Sequence, residues 1–242
     1  MPLKSLLLFS EDFRPAAGGI AEYLHQVCKH LALAGVATTV ATTVAEKSDD
    51  DLPQPYIVRR LPPPFGPAAA GRRVNFLARP IRFLREQMAA RAWSRQWLGK
   101  LRREHDPQVV ALGVWSPLTD WWALNCLGNG IPFVYFVYGK ELLPRLGGLK
   151  GLCYGRSRRR SLRRAGAAIA ISHATASAAI RLGVSPSKIA LAMPGIDLSE
   201  WPPVSAETCR DVAASFRLEG KRIILSVSRL APRKGIATML EA

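Results

Sequence analysis

Short runs of apolar residues alternate along the chain with longer stretches whose apolar positions recur at helical spacing. Leu6–Phe9, Thr38–Val44, Ile57–Leu61, Val109–Leu112, Phe133–Val137, Ala167–Ile171 and Ile189–Met193 read as strands. Ile20–Leu33, Pro80–Arg103, Leu118–Leu127, Gly151–Arg164 and Ala174–Leu182 read as helices between them. Strands rich in Val, Ile, Leu and Ala that alternate with helices at this interval predict an α/β fold, a Rossmann-like parallel sheet with helices on both faces.

The punctuation changes after Met193. Met193-Pro194-Gly195 and Trp201-Pro202-Pro203 bracket a stretch that reads as a linker. A helical pattern follows at Ala206–Phe216, then a strand pattern at Arg222–Val227, and a helix start at Ile236–Ala242. About 20 residues of strand and helix cannot bury both of their faces, since even domains of about 40 residues usually need a staple. The expected organisation is therefore a domain over 1–194 and a linker with a crossover helix over 195–220. Residues 221–242 would be the first strand and helix start of an incomplete, truncated second domain.

Composition narrows the class. With 48% hydrophobic and 21% charged residues, the 242-residue chain is neither disordered nor a disulfide scaffold. Cys28, Cys126, Cys153 and Cys209 are far apart, with no CxxC and no histidine at zinc-ligand spacing. They read as reduced thiols in a cytoplasmic protein, and no metal is expected. Leu6–Phe9 is too short for a signal peptide and is closed by Glu11-Asp12, and Ile131–Tyr138 is too short to span a bilayer.

The charge is +16, and it is concentrated. Residues 72–103 carry ten Lys and Arg against Glu86 alone, and residues 145–164 carry eight and no acid, so the remainder is close to neutral. A polyanionic partner follows: an anionic membrane face, phosphorylated substrates, or nucleic acid. In the first segment Leu77, Ile81, Leu84 and Met88 form one helical stripe, with Arg82 and Arg85 beside it. Trp93, Trp97 and Leu101 form a second stripe displaced around the helix, so a bend or break is expected at Ala89–Arg91. Such a helix rests on an anionic bilayer, or else packs its stripe on the sheet and leaves its arginines solvated. Arg158 and Arg159, in the run Gly155–Arg164, are the second membrane-facing candidates. Nucleic acid is the weaker partner, because no recognisable module and only Tyr154 accompany that run.

Two loops could carry chemistry. Gly18-Gly19, between the first strand and first helix, would let a ligand approach the backbone, with the helix N-terminus favouring a phosphate; the plainer reading is a turn. No GxGxxG follows a strand. Arg229 and Lys234 stand after the Arg222–Val227 pattern, where two cations could neutralise a leaving phosphate, or simply form a solvated loop.

The series Gly18-Gly19, Tyr138-Gly139-Lys140-Glu141, Ile169–Thr175, Pro194-Gly195-Ile196-Asp197 and Ser228–Gly235 resembles, in order and spacing along nearly the whole chain, the family-4 glycosyltransferases. The resemblance implies the GT-B fold, two Rossmann-like domains facing each other across a cleft. This chain would carry the acceptor-binding N-terminal half and the beginning of the nucleotide-sugar-binding half. By the same resemblance Gly19 looks like the loop glycine at the donor diphosphate, and Arg229 and Lys234 like the pair that stabilises it on departure. Glu141 and Ser172 stand at positions that position substrate; the plainer readings are a loop carboxylate and a helix N-cap. Many members carry His-Gly where this chain has Tyr138-Gly139, so no histidine role carries over, and Tyr138 is the substitute candidate.

The implied reaction is transfer of a sugar from a nucleotide-sugar to an acceptor with retention and without a metal or other cofactor. The basic segments point to a lipid-linked or cell-envelope saccharide at the inner face of the membrane, with the protein cytoplasmic and peripheral. The family's Glu-x7-Glu motif would lie beyond Ala242, so the chain alone is expected to be inactive. The alternatives are the membrane-recruiting half of a split glycosyltransferase and a basic nucleic-acid-binding protein.

Overall fold

The computed structural model describes residues 2–45, 53–64, 79–139, 142, 148–198, 202–228 and 230–241. They fall into two compact units, Met1–Pro194 and Gly195–Ala242.

The first unit is built on seven strands: β1 (Ser5–Phe9), β2 (Ala37–Thr42), β3 (Ile57–Arg60), β4 (Val109–Leu112), β5 (Phe133–Val137), β6 (Ala167–Ala170) and β7 (Ile189–Leu191). All pair in parallel in the order β3-β2-β1-β4-β5-β6-β7. Five helices connect them: α1 (Gly19–Leu33), α2 (Arg79–His105), α3 (Pro117–Gly128), α4 (Gly148–Arg164) and α5 (His173–Arg181). The parallel sheet with helices on both faces is the architecture expected from the sequence.

Alternate residues of each strand feed two cores, as the period of two requires. Leu7, Phe9, Val110, Leu112, Tyr135 and Val137 face α2–α5, where Phe9 stacks on Trp122 of α3 at 4.2 Å between ring centroids. Leu6, Leu8, Val40, Ala111 and Phe136 face α1 through Leu24 and Cys28. Burial on both faces explains why these strands read as unbroken apolar runs. Burial also raises the Cys28 and Cys126 thiols to about 12, so both stay protonated and unreactive at neutral pH.

Helix α2 runs unbroken through the expected interruption at Ala89–Arg91. Its 27 residues span about 40 Å, whereas four-residue β4 spans about 13 Å. The buried residues of α2 begin at Ala90 and continue through Trp93, Ser94, Leu98 and Leu101. Trp93 donates its indole N–H to the Pro62 carbonyl just past β3, which fixes the level of the sheet's carboxyl end. The first three turns of α2 therefore overhang that end. There Leu84 and Met88 are 61% and 65% exposed, so these two members of the first stripe do not pack on the sheet. The displaced second stripe is the one that does.

The second unit contains α6 (Ala206–Ser215), capped by the Ser205 hydroxyl, and α7 (Ile236–Glu241). The Arg222–Val227 pattern forms no strand. Ile224, Leu225 and Val227 are more than 80% exposed, because no described strand in this unit offers the ladder of hydrogen bonds that would hold it.

Candidate active site

The strand order reverses between β1 and β4, since β1 leads to β2 on one side and β4 to β5 on the other. In open α/β sheets the connections leaving such a pair diverge and leave a crevice outside the carboxyl ends. Two loops border it here: residues 10–18 after β1 and residues 113–116 after β4.

The loops are pressed together at their base. A Cβ on Gly113 would lie 2.7 Å from Leu24 Cδ1 and 2.9 Å from Ser10 Cβ, so only glycine allows the approach. Buried Ser10 anchors the first loop, its amide donating to Ala41 and its hydroxyl to the Asp12 carbonyl. Farther out the hydroxyl of Ser116 donates to the carboxylate of Glu11, tying one loop to the other. The same hydroxyl accepts from the Thr119 amide and caps α3, with Pro117 at the first helical position. Burial pushes the Glu11 carboxyl up to about 7, and among the described residues no charged neighbour offsets the shift.

The Gly18-Gly19 loop opens α1 with no side-chain cap, whereas Ser116 and Ser172 cap α3 and α5. Both glycines are exposed; a Cβ on Gly19 would meet nothing within 4 Å, and one on Gly18 would lie 3.9 Å from Asp12 Oδ1. Arg14 and Glu22 clasp the first turn at 2.5 Å. Burial raises the Glu22 carboxyl, but hydrogen bonds from Gln26 and Arg14 and the Arg14 charge outweigh it and hold the group below its ordinary range.

At the end of β5, Tyr138 packs edge-on against Tyr23 of α1, whose hydroxyl donates to the Ala192 carbonyl. Gly139 takes φ 105°, the left-handed region that favours glycine, and a Cβ there would touch Thr175 Oγ1 at 3.5 Å. The Ser172 hydroxyl accepts from the Thr175 amide at 3.2 Å and lies 2.9 Å from the Thr175 hydroxyl, so it serves as the N-cap of α5. The plainer of its two sequence readings describes this geometry.

The basic residues separate. Arg158 does not face outward as expected: it forms a two-point ion pair with buried Asp120 at 2.9 and 3.2 Å and lies 4.8 Å over the Trp115 ring. Trp115 also stacks on Tyr135, with ring centroids 4.5 Å apart. Burial raises the Asp120 carboxyl and Arg158 offsets it. Arg159 is exposed and lines, with Arg156, Arg160, Arg163 and Arg164, a shallow cavity of about 370 Å³. That half of α4 returns the chain to the amino end of β6, the end of the sheet opposite the crevice. Arg85 is exposed on the overhang of α2; the side chain of Arg82 lies outside the described residues.

Glu141 and Arg229 also lie outside the described residues. Lys234 is exposed at the end of a single 3₁₀ turn, Pro232–Lys234, closed by Gly235 at φ 66° before α7. Among the described residues no group of three or more His, Cys, Asp or Glu could hold a metal ion, and no helix is long and apolar enough to cross a membrane. Sequence reasoning treated Glu11 only as the residue that ends an apolar run. The signal available was its position, two residues past the first strand and ahead of the glycine pair.

The family model "Glycosyltransferase Family 4" matches residues 17–200. Among solved structures, Anabaena HepE in complex with UDP and glucose is similar at 17% identity and a TM-score of 0.65, over 98% of this chain and 57% of that one. Sucrose-phosphate synthase from Thermosynechococcus elongatus is similar at 19% identity and 0.65, over 98% and 59%. UDP-GlcNAc 2-epimerase from Neisseria meningitidis bound to UDP-GlcNAc follows at 12% and 0.51, over 78% and 45%. The chain thus spans somewhat more than half the length of the first two. No curated protein matches it. With the family model covering most of the chain and the crevice standing where the fold places its ligands, the chain belongs to glycosyltransferase family 4.

Proposed function

We propose that the whole protein is a retaining glycosyltransferase that moves a sugar from a nucleotide-sugar to a lipid-linked or cell-envelope saccharide. The observation that carries this reading is the family-4 match over residues 17–200, which takes in the Gly18-Gly19 pair, strands β2–β7 and the crevice loop after β4. The first unit is the acceptor side. The α1 N-terminus, opened by exposed Gly18-Gly19 with no cap from its N-cap residue, suits an approaching diphosphate, which the helix dipole favours. Arg229 and Lys234 are the candidates for neutralising that diphosphate as it leaves, without a metal. Tyr138 and Glu141 are the candidates for positioning the acceptor.

The overhang of α2 supports a membrane-bound acceptor. Leu84 and Met88 are exposed beside Arg85 at the carboxyl end of the sheet, where the crevice opens. Burying two such side chains in an interface stabilises binding by roughly 2–4 kcal/mol, and each nearby Arg adds about 1 kcal/mol on an anionic leaflet. The protein would then work as a peripheral protein at the inner, cytoplasmic face of the membrane.

The test supplies the full-length protein with a panel of nucleotide-[14C]sugars and a total membrane extract of its source cells. Label in the organic phase supports the reading. Label confined to water-soluble saccharide leaves the transferase and removes the lipid acceptor. No transfer from any donor refutes the proposal.

A further inference from the structure

The crevice contains one ionisable group that the fold does not need. Glu11 sits two residues beyond β1, and its one recorded partner among the described residues is the Ser116 hydroxyl. Ser116 would cap α3 without it, through the Thr119 amide. The carboxyl is partly buried, and among the described residues no cation is placed beside it, in contrast to Asp120 with Arg158 and Glu22 with Arg14. A partly buried carboxylate with no counter-charge weakens a fold. Groups held at such a cost are concentrated where ligands bind.

The chemistry of the crevice narrows what the group is for. A metal would need further ligands, and no candidate set exists among the described residues. An anionic diphosphate would be repelled by Glu11, so the donor's phosphates belong at the Gly18-Gly19 end of the loop. A carboxylate in a partly dry crevice is suited to accept hydrogen bonds from neutral hydroxyl groups, and a saccharide presents these in adjacent pairs.

We propose that Glu11 is an acceptor-binding residue: its carboxylate, held in place by Ser116, accepts a hydrogen bond from a hydroxyl of the saccharide acceptor. This inference rests on the glycosyltransferase reading. The bridge between the loops fixes the carboxylate before the acceptor arrives, which spares the ordering of a long side chain during binding.

The test measures initial rates of the full-length protein with a nucleotide-[14C]sugar against dilutions of the membrane extract. Glu11→Gln and Glu11→Ala are compared with wild type, and melting curves establish that each variant folds. Losing a charge-assisted hydrogen bond should raise the apparent KM for extract about tenfold or more, with the KM for the nucleotide-sugar unchanged. Ser116→Ala should raise it less, because the carboxylate remains but is less well held. An unchanged KM for extract in folded Glu11→Gln and Glu11→Ala overturns the assignment, as does a rise in the donor KM alone. If wild type transfers nothing, the glycosyltransferase reading falls and takes this one with it. Equal transfer by wild type and variants removes only the role of Glu11.

Discussion

Replacing Glu11 by Gln should make the protein more stable at alkaline pH and leave it unchanged in acid. The carboxyl rises from 4.5 to about 7 on folding because burial disfavours its charged form. The folded state therefore binds the proton more tightly than the unfolded chain between these values, so stability falls as pH rises through that window. A displacement of about 2.5 units corresponds to roughly 3.4 kcal/mol at 1.36 kcal/mol per unit, which is a ceiling. Glutamine retains an acceptor for the Ser116 hydroxyl but brings an amide that must find its own partner, a penalty of about 1 kcal/mol. The net gain is then about 1–2.5 kcal/mol above pH 7.5 and small at pH 4.5, where glutamate is protonated in the folded state and about half-protonated in the unfolded chain. For a domain of this size, 1 kcal/mol moves Tm by about 2–4 °C. Melting curves of both proteins from pH 4.5 to 8.5 should diverge with pH, Glu11→Gln ending about 2–10 °C higher. A difference that does not depend on pH, or a variant that melts lower at pH 8, refutes the reasoning.

Two further predictions concern the basic helices. Leu84→Ser with Met88→Ser should leave Tm within about 2 °C of wild type, since both side chains are exposed, while abolishing most sedimentation with anionic vesicles and leaving neutral vesicles unbound throughout. Asp120→Ala should destabilise by about 3 kcal/mol, because it strands Arg158 half-buried over Trp115, and Arg158→Leu in the same chain should recover part of the loss in a double-mutant cycle read by urea unfolding.

The centre of the sheet was legible because strands such as β1, β4 and β5 are covered on both faces, so apolar runs such as Leu6–Phe9 and Phe133–Val137 mark strands almost to the residue. Arg222–Val227 has the same pattern and forms no strand, since β pattern is a capacity for pairing and the described residues of its unit contain no partner. Periodicity located both stripes of α2 but not their neighbours. Which stripe meets the sheet depends on the length of the helix relative to the strands beneath it. Within the run Gly155–Arg164 every arginine looks alike in sequence, and Arg158 alone turns inward because Asp120, 38 residues earlier, stands opposite it. Glu11 was least legible. Its environment is made by a loop more than 100 residues away, and no local pattern reports the burial of a single carboxylate.

Several local demands of the first unit are met within it. Where charges are buried in its body, they are paired, as in Arg158 with Asp120. The α3 and α5 N-termini are capped by their own serines, and the arginines of α4 that lie toward the amino end of the sheet are solvated. Among the described residues, three features that invite a complement stand together at the carboxyl end: a part-buried carboxylate with no described cation beside it at Glu11, a helix opened by Gly18-Gly19 with no cap from its N-cap residue, and two large exposed apolar side chains at Leu84 and Met88. Local rules broken together at one place are the physical mark of a surface shaped for something other than stability. Each of the three has a different complement: a hydroxyl for the carboxylate, a phosphate for the helix N-terminus, and an acyl chain or lipid interface for the apolar pair. A nucleotide-sugar and an amphiphilic saccharide acceptor supply all three between them. That correspondence, more than the net charge, is why we propose a glycolipid-like acceptor for this end of the molecule over nucleic acid, which would leave both Glu11 and the apolar pair without a complement.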